Sequence, residues 1–108
     1  MPPDEPHHGP GVYVILAIPD RFSAAIADRV KIGQSDDVRR RLADLQTGNP
    51  AHLHLAHASY EPDAGRRRVI EADLHRRFGH LRVNGEWFRW TDELNEHVNT
   101  LCDEECHL

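Results

Sequence analysis

The chain has 108 residues, 39% of them hydrophobic and 29% charged, with a formal net charge of −5. That length gives one domain with a modest core, and the longest apolar run, residues 12–18, is far too short to span a bilayer. Two cysteines, Cys102 and Cys106, make no disulfide framework, and no basic segment precedes the apolar run. The expected setting is therefore a reducing cytoplasm, without a membrane partner.

The charge is unevenly spread. Residues 1–28 carry −3, residues 29–89 carry +4 and residues 90–108 carry −6. A basic middle capped by an acidic end leaves phosphate binding open, because nucleic acid is read by local patches rather than by net charge.

In chain order, residues 1–10 have four prolines and no periodicity, and read as a flexible leader to a single domain over 11–105. His7-His8 within it could touch a metal, but reads first as a solvated dipeptide. Gly11–Ile18 is rich in β-branched residues and predicts a strand covered on both faces. A connection follows, with a helical turn expected over 24–27. Arg29–Ser35 predicts a second strand, antiparallel to the first, with Val30 and Ile32 facing one way and Lys31 and Gly33 the other.

Next comes a short basic helix. Ser35 or Asp36 is the expected cap, Val38, Leu42 and Leu45 make one apolar stripe, and Gly48 and Pro50 end it. Arg39 and Arg40 point away from the stripe, whereas Arg41 lies on its edge. A guanidinium held beside a core faces something specific. Lys31 is the only lysine in the chain, just before Gly33.

His52–Tyr60 alternates as a strand, with Leu53 and Leu55 toward the core and His52 and His54 on the opposite surface. The two histidines have zinc-ligand reach but no evident third ligand. Pro62 and Asp63 open a second helix over 64–78, striped by Ile70, Leu74 and Phe78. Glu71 falls on the border of that stripe with His75 one turn on; a carboxylate there needs a partner, a metal or a raised pKa. Asn84-Gly85 predicts a two-residue hairpin turn, with Trp87 on one side and Phe88 and Trp90 on the other. Thr91 is the expected cap of a last helix striped by Leu94, Val98 and Leu101. Cys102, Cys106 and His107 form a partial zinc set that would need a fourth ligand such as His97.

Gly11-Val12-Tyr13, Lys31-Ile32-Gly33, Arg41 ten residues after Lys31, and Glu71 in a later helix resemble the GIY-YIG nuclease superfamily. Val30 to Gly33, Leu45-Gln46-Thr47-Gly48 with Pro50, Glu71 to His75, and Gly85-Glu86-Trp87-Phe88 resemble its phage-type branch. The resemblance covers roughly residues 11–90 and implies an α+β fold, with a three-stranded antiparallel sheet flanked by helices. It implies a metal-dependent endonuclease that hydrolyses phosphodiesters of nucleic acid, DNA foremost, in one step.

By that likeness Tyr13, Lys31, Arg41 and Glu71 are the catalytic set. Glu71 would hold Mg²⁺ or Mn²⁺, Arg41 would neutralise charge on the phosphoryl oxygens, and Tyr13 would hydrogen-bond the attacking water or its activator. His75 could help to move protons. Lys31, with Arg39 and Arg40, would contact the nucleic acid. Two positions depart from the superfamily pattern: Lys31 stands where a tyrosine is usual, and Leu45 where Tyr or His is common. The phage-type branch shares the lysine, and the general base stays unassigned. Site choice is left to loops, a protein partner or a dimer. The alternatives are a degenerate nucleic-acid-binding module that keeps the scaffold without turnover, and a zinc-stabilised interaction protein.

Overall fold

The apolar run Gly11–Ile18 forms strand β1, and its unbroken hydrophobic character fits its central place in the sheet. Arg29–Ser35 (β2) pairs with it antiparallel on one side, and His52–Tyr60 (β3) pairs antiparallel on the other. The computed structural model describes residues 9–19 and 27–106, without the side chains of 102–106. Residues 1–8 of the leader read over 1–10, with His7-His8, the turn over 24–27 except Ala27, and the ligand atoms of the Cys102, Cys106 and His107 set lie outside the described residues. The last two leader residues belong to the fold: the Gly9 and Pro10 carbonyls accept the Val38 and Glu61 N–H groups at 3.0 Å each.

Among the described residues the sheet has five strands rather than three, in the order β3-β1-β2-β5-β4. The two further strands are the hairpin, Arg82–Asn84 (β4) and Trp87–Arg89 (β5); β5 pairs antiparallel with β2 from Arg29–Arg89 to Lys31–Trp87. Two three-residue strands are marginal alone. Docking on β2 buries Phe88 completely, which stabilises by about 1.5–3 kcal/mol and explains why the hairpin joins the sheet. The turn residues are Gly85 and Glu86, one position later than expected, because Asn84 sits opposite Trp87 and Gly85 takes φ 54°. That shift carries Glu86 to the side of β2, where its backbone carbonyl accepts the Ile32 N–H at 3.0 Å.

Val38–Gln46 (α1) lies over one face of the sheet with Val38 buried and Leu42 and Leu45 packed beside it, as the stripe predicts. Its cap is Asp37, not Ser35 or Asp36. The Asp37 side chain accepts from the Arg40 N–H at 3.1 Å, while Ser35 is spent on the Asp37 N–H at 3.0 Å. The exit is fixed by Gly48 at φ 76°. Gln46 then stitches the helix to β3, donating to the Ala51 carbonyl at 2.9 Å and accepting the Leu53 N–H at 2.8 Å.

In β3 the alternation breaks once. The register against β1 slips between Val14 and Ile15, so Leu53 and Leu55 oppose Ala17 and Ile15, whereas His57 opposes Val14. Such a bulge bends the edge strand, and it puts His57 indoors, 2.8 Å from the Ser59 hydroxyl.

Ala64–Arg77 (α2), capped by Asp63, and Asp92–Cys106 (α3) cover the other face. Phe78, Leu94 and Val98 join Val14, Val30, Ile32 and Phe88 in one core cluster, while Tyr13, Ile15, Val38 and Leu53 belong to the cluster under α1. The start of α3 uses the Thr91 carbonyl, which accepts the Asn95 N–H at 2.9 Å; the hydroxyl expected to cap it makes no hydrogen bond among the described residues. No helix among the described residues is long and apolar enough to cross a membrane.

Candidate active site

The site begins where the sheet ladder stops. β5 reaches only as far as Lys31, so among the described residues the outward edge of β2 beyond Ile32 has no strand beside it. Backbone groups there still need partners, and α2 supplies them from one face. The His75 Nε2–H donates to the Ile32 carbonyl at 2.7 Å. The Glu71 carboxylate accepts the backbone N–H of Gln34. Arg67 donates from Nε to the Gln34 side-chain oxygen at 2.9 Å. Residues 67, 71 and 75 recur every fourth position, so one helical face runs along the strand edge like a surrogate strand.

Both nitrogens of His75 are engaged. Arg82 donates to Nδ1 at 3.2 Å, which makes Nδ1 the acceptor and assigns the proton to Nε2. Proton movement through this ring would break a structural bond, so its place in the fold is a strut between α2 and β2.

On the α1 side of the sheet, Tyr13 stands opposite Gly33 and Lys31 opposite Trp87. Tyr13 is buried, with 1% exposure, and its ring lies across Gly33. A Cβ on Gly33 would come within 2.5 Å of the Tyr13 hydroxyl oxygen and 2.8 Å of the Glu86 Oε1. Only glycine lets both groups crowd the strand there. Lys31 is also buried; its ammonium lies 3.2 Å from Glu86 Oε1 and 5.2 Å from the centre of the Trp87 ring. These are the contacts of a cation.

Arg41 comes from α1, three residues beyond the buried Val38. Its guanidinium donates to the Tyr13 hydroxyl oxygen, and that bond is the chief reason its pKa rises. Burial pushes the Tyr13 phenol above its ordinary value; the Arg41 hydrogen bond opposes this, and the negative charge of Glu86 adds to it. Tyr13 is thus a neutral phenol whose oxygen accepts from Arg41 and whose own proton is not used by that bond. Burial is also the largest cause raising the Glu71 pKa, with the nearby Glu86 charge next; His75, the Gln34 N–H and Lys31 act in the other direction.

Although α1 and α2 pack on opposite faces of the sheet, their functional side chains converge. Glu71 reaches the open edge of β2, and Tyr13 feels Arg41, Glu86 and Glu71 together. Arg39 and Arg40 stay on the outer, exposed face of α1, outside this cluster.

The sequence profile of the T5orf172 domain matches residues 11–104. The chain belongs to this family, which is related to the GIY-YIG nucleases. No curated protein and no solved structure matches the chain. In this T5orf172 domain the match covers β1 through α3, so it spans every residue of the cluster at the end of β2.

Members of the superfamily are typically metal-dependent. Among the described residues of this T5orf172 domain, no group of three or more His, Cys, Asp or Glu side chains is placed to hold a metal ion. A hard ion that keeps most of its waters needs only one or two carboxylates, and Glu71 suits that demand. It is half-buried and beside a second carboxylate, and both features raise its pKa. A cation there would relieve the cost of its charge.

Sequence reasoning brought Tyr13, Lys31, Arg41 and Glu71 forward as candidates, and this domain brings them together. It did not single out Glu86, quoted only within a motif, or Arg67 and Gln34. The signal for Arg67 was available in its spacing of four residues before Glu71. For Glu86 the signal was the hairpin turn, read one residue too early.

Proposed function

We propose that this T5orf172 domain is a metal-dependent endonuclease that hydrolyses phosphodiester bonds in nucleic acid, DNA in the first place. The observation that carries the reading is the convergence of Arg41, Tyr13, Lys31 and Glu71 around Gly33, at the end of β2 that lies beyond the reach of β5.

Each side chain has a task suited to its setting. Arg41 offers its remaining donors to the phosphoryl oxygens; the Tyr13 contact and its position on α1 fix the guanidinium before substrate arrives, so little is lost to reorganisation. Tyr13, as a neutral phenol, donates its proton toward the attacking water and orients it. Lys31 serves as a phosphate clamp, because an ammonium already paired with a carboxylate is poorly suited to act as base. Glu71 would hold Mg²⁺ or Mn²⁺, which when bound supplies Lewis-acid stabilisation of the leaving oxygen. Arg39 and Arg40, on the outer face of α1, extend the phosphate track. Selection among sites would fall to loops, a protein partner or a second copy.

A plasmid-nicking assay with Mg²⁺ or Mn²⁺ against chelator tests this. Arg41→Ala should lower the rate roughly 10²–10³-fold, and Glu71→Ala should abolish the metal-dependent cut. Variants that nick like the parent would assign the activity elsewhere.

A second reading is a binding module without turnover. It is favoured by Leu45, which packs against the core under α1 at a position where the superfamily often has a polar side chain. Under it, DNA affinity falls steeply with salt, survives chelation and is accompanied by no nicking.

A further inference from the structure

The nuclease reading leaves the proton of the attacking water without an acceptor. Lys31 is paired, Tyr13 is a buried neutral phenol, both nitrogens of His75 are spent on Ile32 and Arg82, and Leu45 is apolar. Besides Glu71, two carboxylates act on this cluster: Asp44, an exposed residue of α1 whose charge is felt by Arg41, and Glu86. The Glu86 charge is felt by Tyr13, by Arg41 and by Glu71, which come from β1, α1 and α2 respectively. Its Oε1 is turned inward over Gly33, 3.2 Å from the Lys31 ammonium, and makes no hydrogen bond among the described residues. The side chain as a whole nevertheless keeps 38% of its surface in solvent. A carboxylate anchored at one oxygen by an ion pair, beside a tyrosine hydroxyl and open to water, has the placement of a base.

We propose that Glu86 is the general base of this site. This rests on the nuclease reading and deepens it. The oxygen of a water, oriented by Tyr13, bonds to phosphorus as one of the water's protons passes to the Glu86 carboxylate. The phosphorus–oxygen bond to the sugar breaks, and the departing oxygen takes a proton from solvent water. Glu86 then returns its proton to bulk water. Lys31 holds the carboxylate against Gly33 throughout, and the two-residue turn Gly85-Glu86 fixes the backbone from which it projects.

The test uses the full chain and a plasmid or oligonucleotide duplex under single-turnover conditions with Mg²⁺. Glu86→Gln is expected to melt within a few degrees of the parent, to bind DNA in chelator as the parent does, and to cut about 10²–10⁴-fold more slowly. Glu86→Ala is expected to recover part of its rate when formate is added, because a small carboxylate can occupy the vacated space and take the proton. Rescue separates a base from a residue that merely positions Lys31, since formate cannot restore a lost tether. The assignment is overturned if Glu86→Gln cuts within about threefold of the parent, if its rate falls only in step with lost folding or DNA binding, or if formate rescues nothing. A parent that does not cut with either metal removes the nuclease reading and this assignment together. A parent that cuts, with any of the three adverse outcomes, removes the assignment alone.

Discussion

Gly33 offers the sharpest test of how the site is built, because replacing it with alanine adds one methyl group and changes no charge. The Cβ of Gly33→Ala would sit 2.5 Å from the Tyr13 hydroxyl oxygen, 2.7 Å from its Cζ and 2.8 Å from Glu86 Oε1. All three separations are too short, so something must shift. Gly33 does not have a positive φ, so alanine adopts the strand conformation without backbone strain. Overpacking of this kind costs about 1–3 kcal/mol, and replacing a mid-strand glycine returns about 0.5–1 kcal/mol. The net loss is about 0–2.5 kcal/mol, which at mid-range is a fall of several degrees in melting temperature for a domain of this size. Catalysis should suffer far more. The Tyr13 ring and the Glu86 carboxylate must move apart, and misplacement by about 1 Å costs on the order of 10²-fold in rate. Single-turnover nicking at 20 °C, paired with a melt followed by circular dichroism, measures both effects. Gly79→Ala is the control, since a Cβ there meets no atom within 4 Å. A Gly33→Ala protein that cuts within threefold of the parent would refute the claim that Gly33 exists to let these two groups meet. A rate loss that disappears once the unfolded fraction is counted would refute it equally.

The remaining predictions concern α2 and the outer face of α1. The Glu71 carboxyl titrates above its ordinary value of 4.5 in the fold, chiefly through burial. Its contribution to stability is therefore present below 4.5 and lost as pH rises through the raised folded value. In chelator, Glu71→Gln should melt no lower than the parent above that window, and Mg²⁺ should raise the melting temperature of the parent alone; a Mg²⁺ shift that persists in Glu71→Gln would place the ion elsewhere. Arg67 is almost fully buried and donates to Gln34 at 2.9 Å and to the Glu61 and Pro62 carbonyls at 3.1 Å each. Arg67→Met should cost about 2–3 kcal/mol, roughly 10 °C in melting temperature, and a neutral result would show that these bonds are replaceable by water. For Arg40→Ala, the slope of log affinity for duplex DNA against log salt should fall by about 0.9, the value for one lost phosphate contact. An unchanged slope would take Arg40 off the DNA track.

Much of the fold was legible because its signals are local. Alternating faces in β2 place Val30 and Ile32 in one cluster, with Lys31 and Gly33 on the other side, as the two-residue period requires. The stripes of α1 and α3 are equally plain. What escaped was set by pairing between distant segments. The hairpin was visible, but its docking on β2 depends on burying Phe88 against residues more than fifty positions earlier, which no window reveals. The bulge in β3 arises from fitting Val14 and Ile15, and Ala56 carries no mark of it. The caps of α1 differ for a nearer reason: Ser35, Asp36 and Asp37 all have capping side chains, and the serine is consumed by the turn itself. At the site, Arg41 and Glu71 showed as charges on the borders of apolar stripes. Glu86 did not, because a turn carboxylate looks solvated until its strand neighbours are known.

The shortness of β5 is the feature from which the site follows. Were β5 to continue alongside β2, its backbone would take the Ile32 carbonyl and the Gln34 N–H, the two groups now served by His75 and Glu71. Those side chains would then have no reason to lie against the strand, and α2 would be held to the sheet by Leu74, Phe78 and the Arg67–Gln34 hydrogen bond. The ladder instead ends with the Glu86 carbonyl on the Ile32 N–H, and one turn residue thereby brings its carboxylate to the gap. Glycine at position 33 leaves the gap unfilled from within, and Tyr13 and Arg41 close over it from the side. An exposed strand edge is ordinarily a liability for aggregation. Here α2 covers it with an arginine, a glutamate and a histidine, and one of the three, Glu71, is also the side chain that would hold a metal ion beside the phosphate-facing groups of α1 and β2.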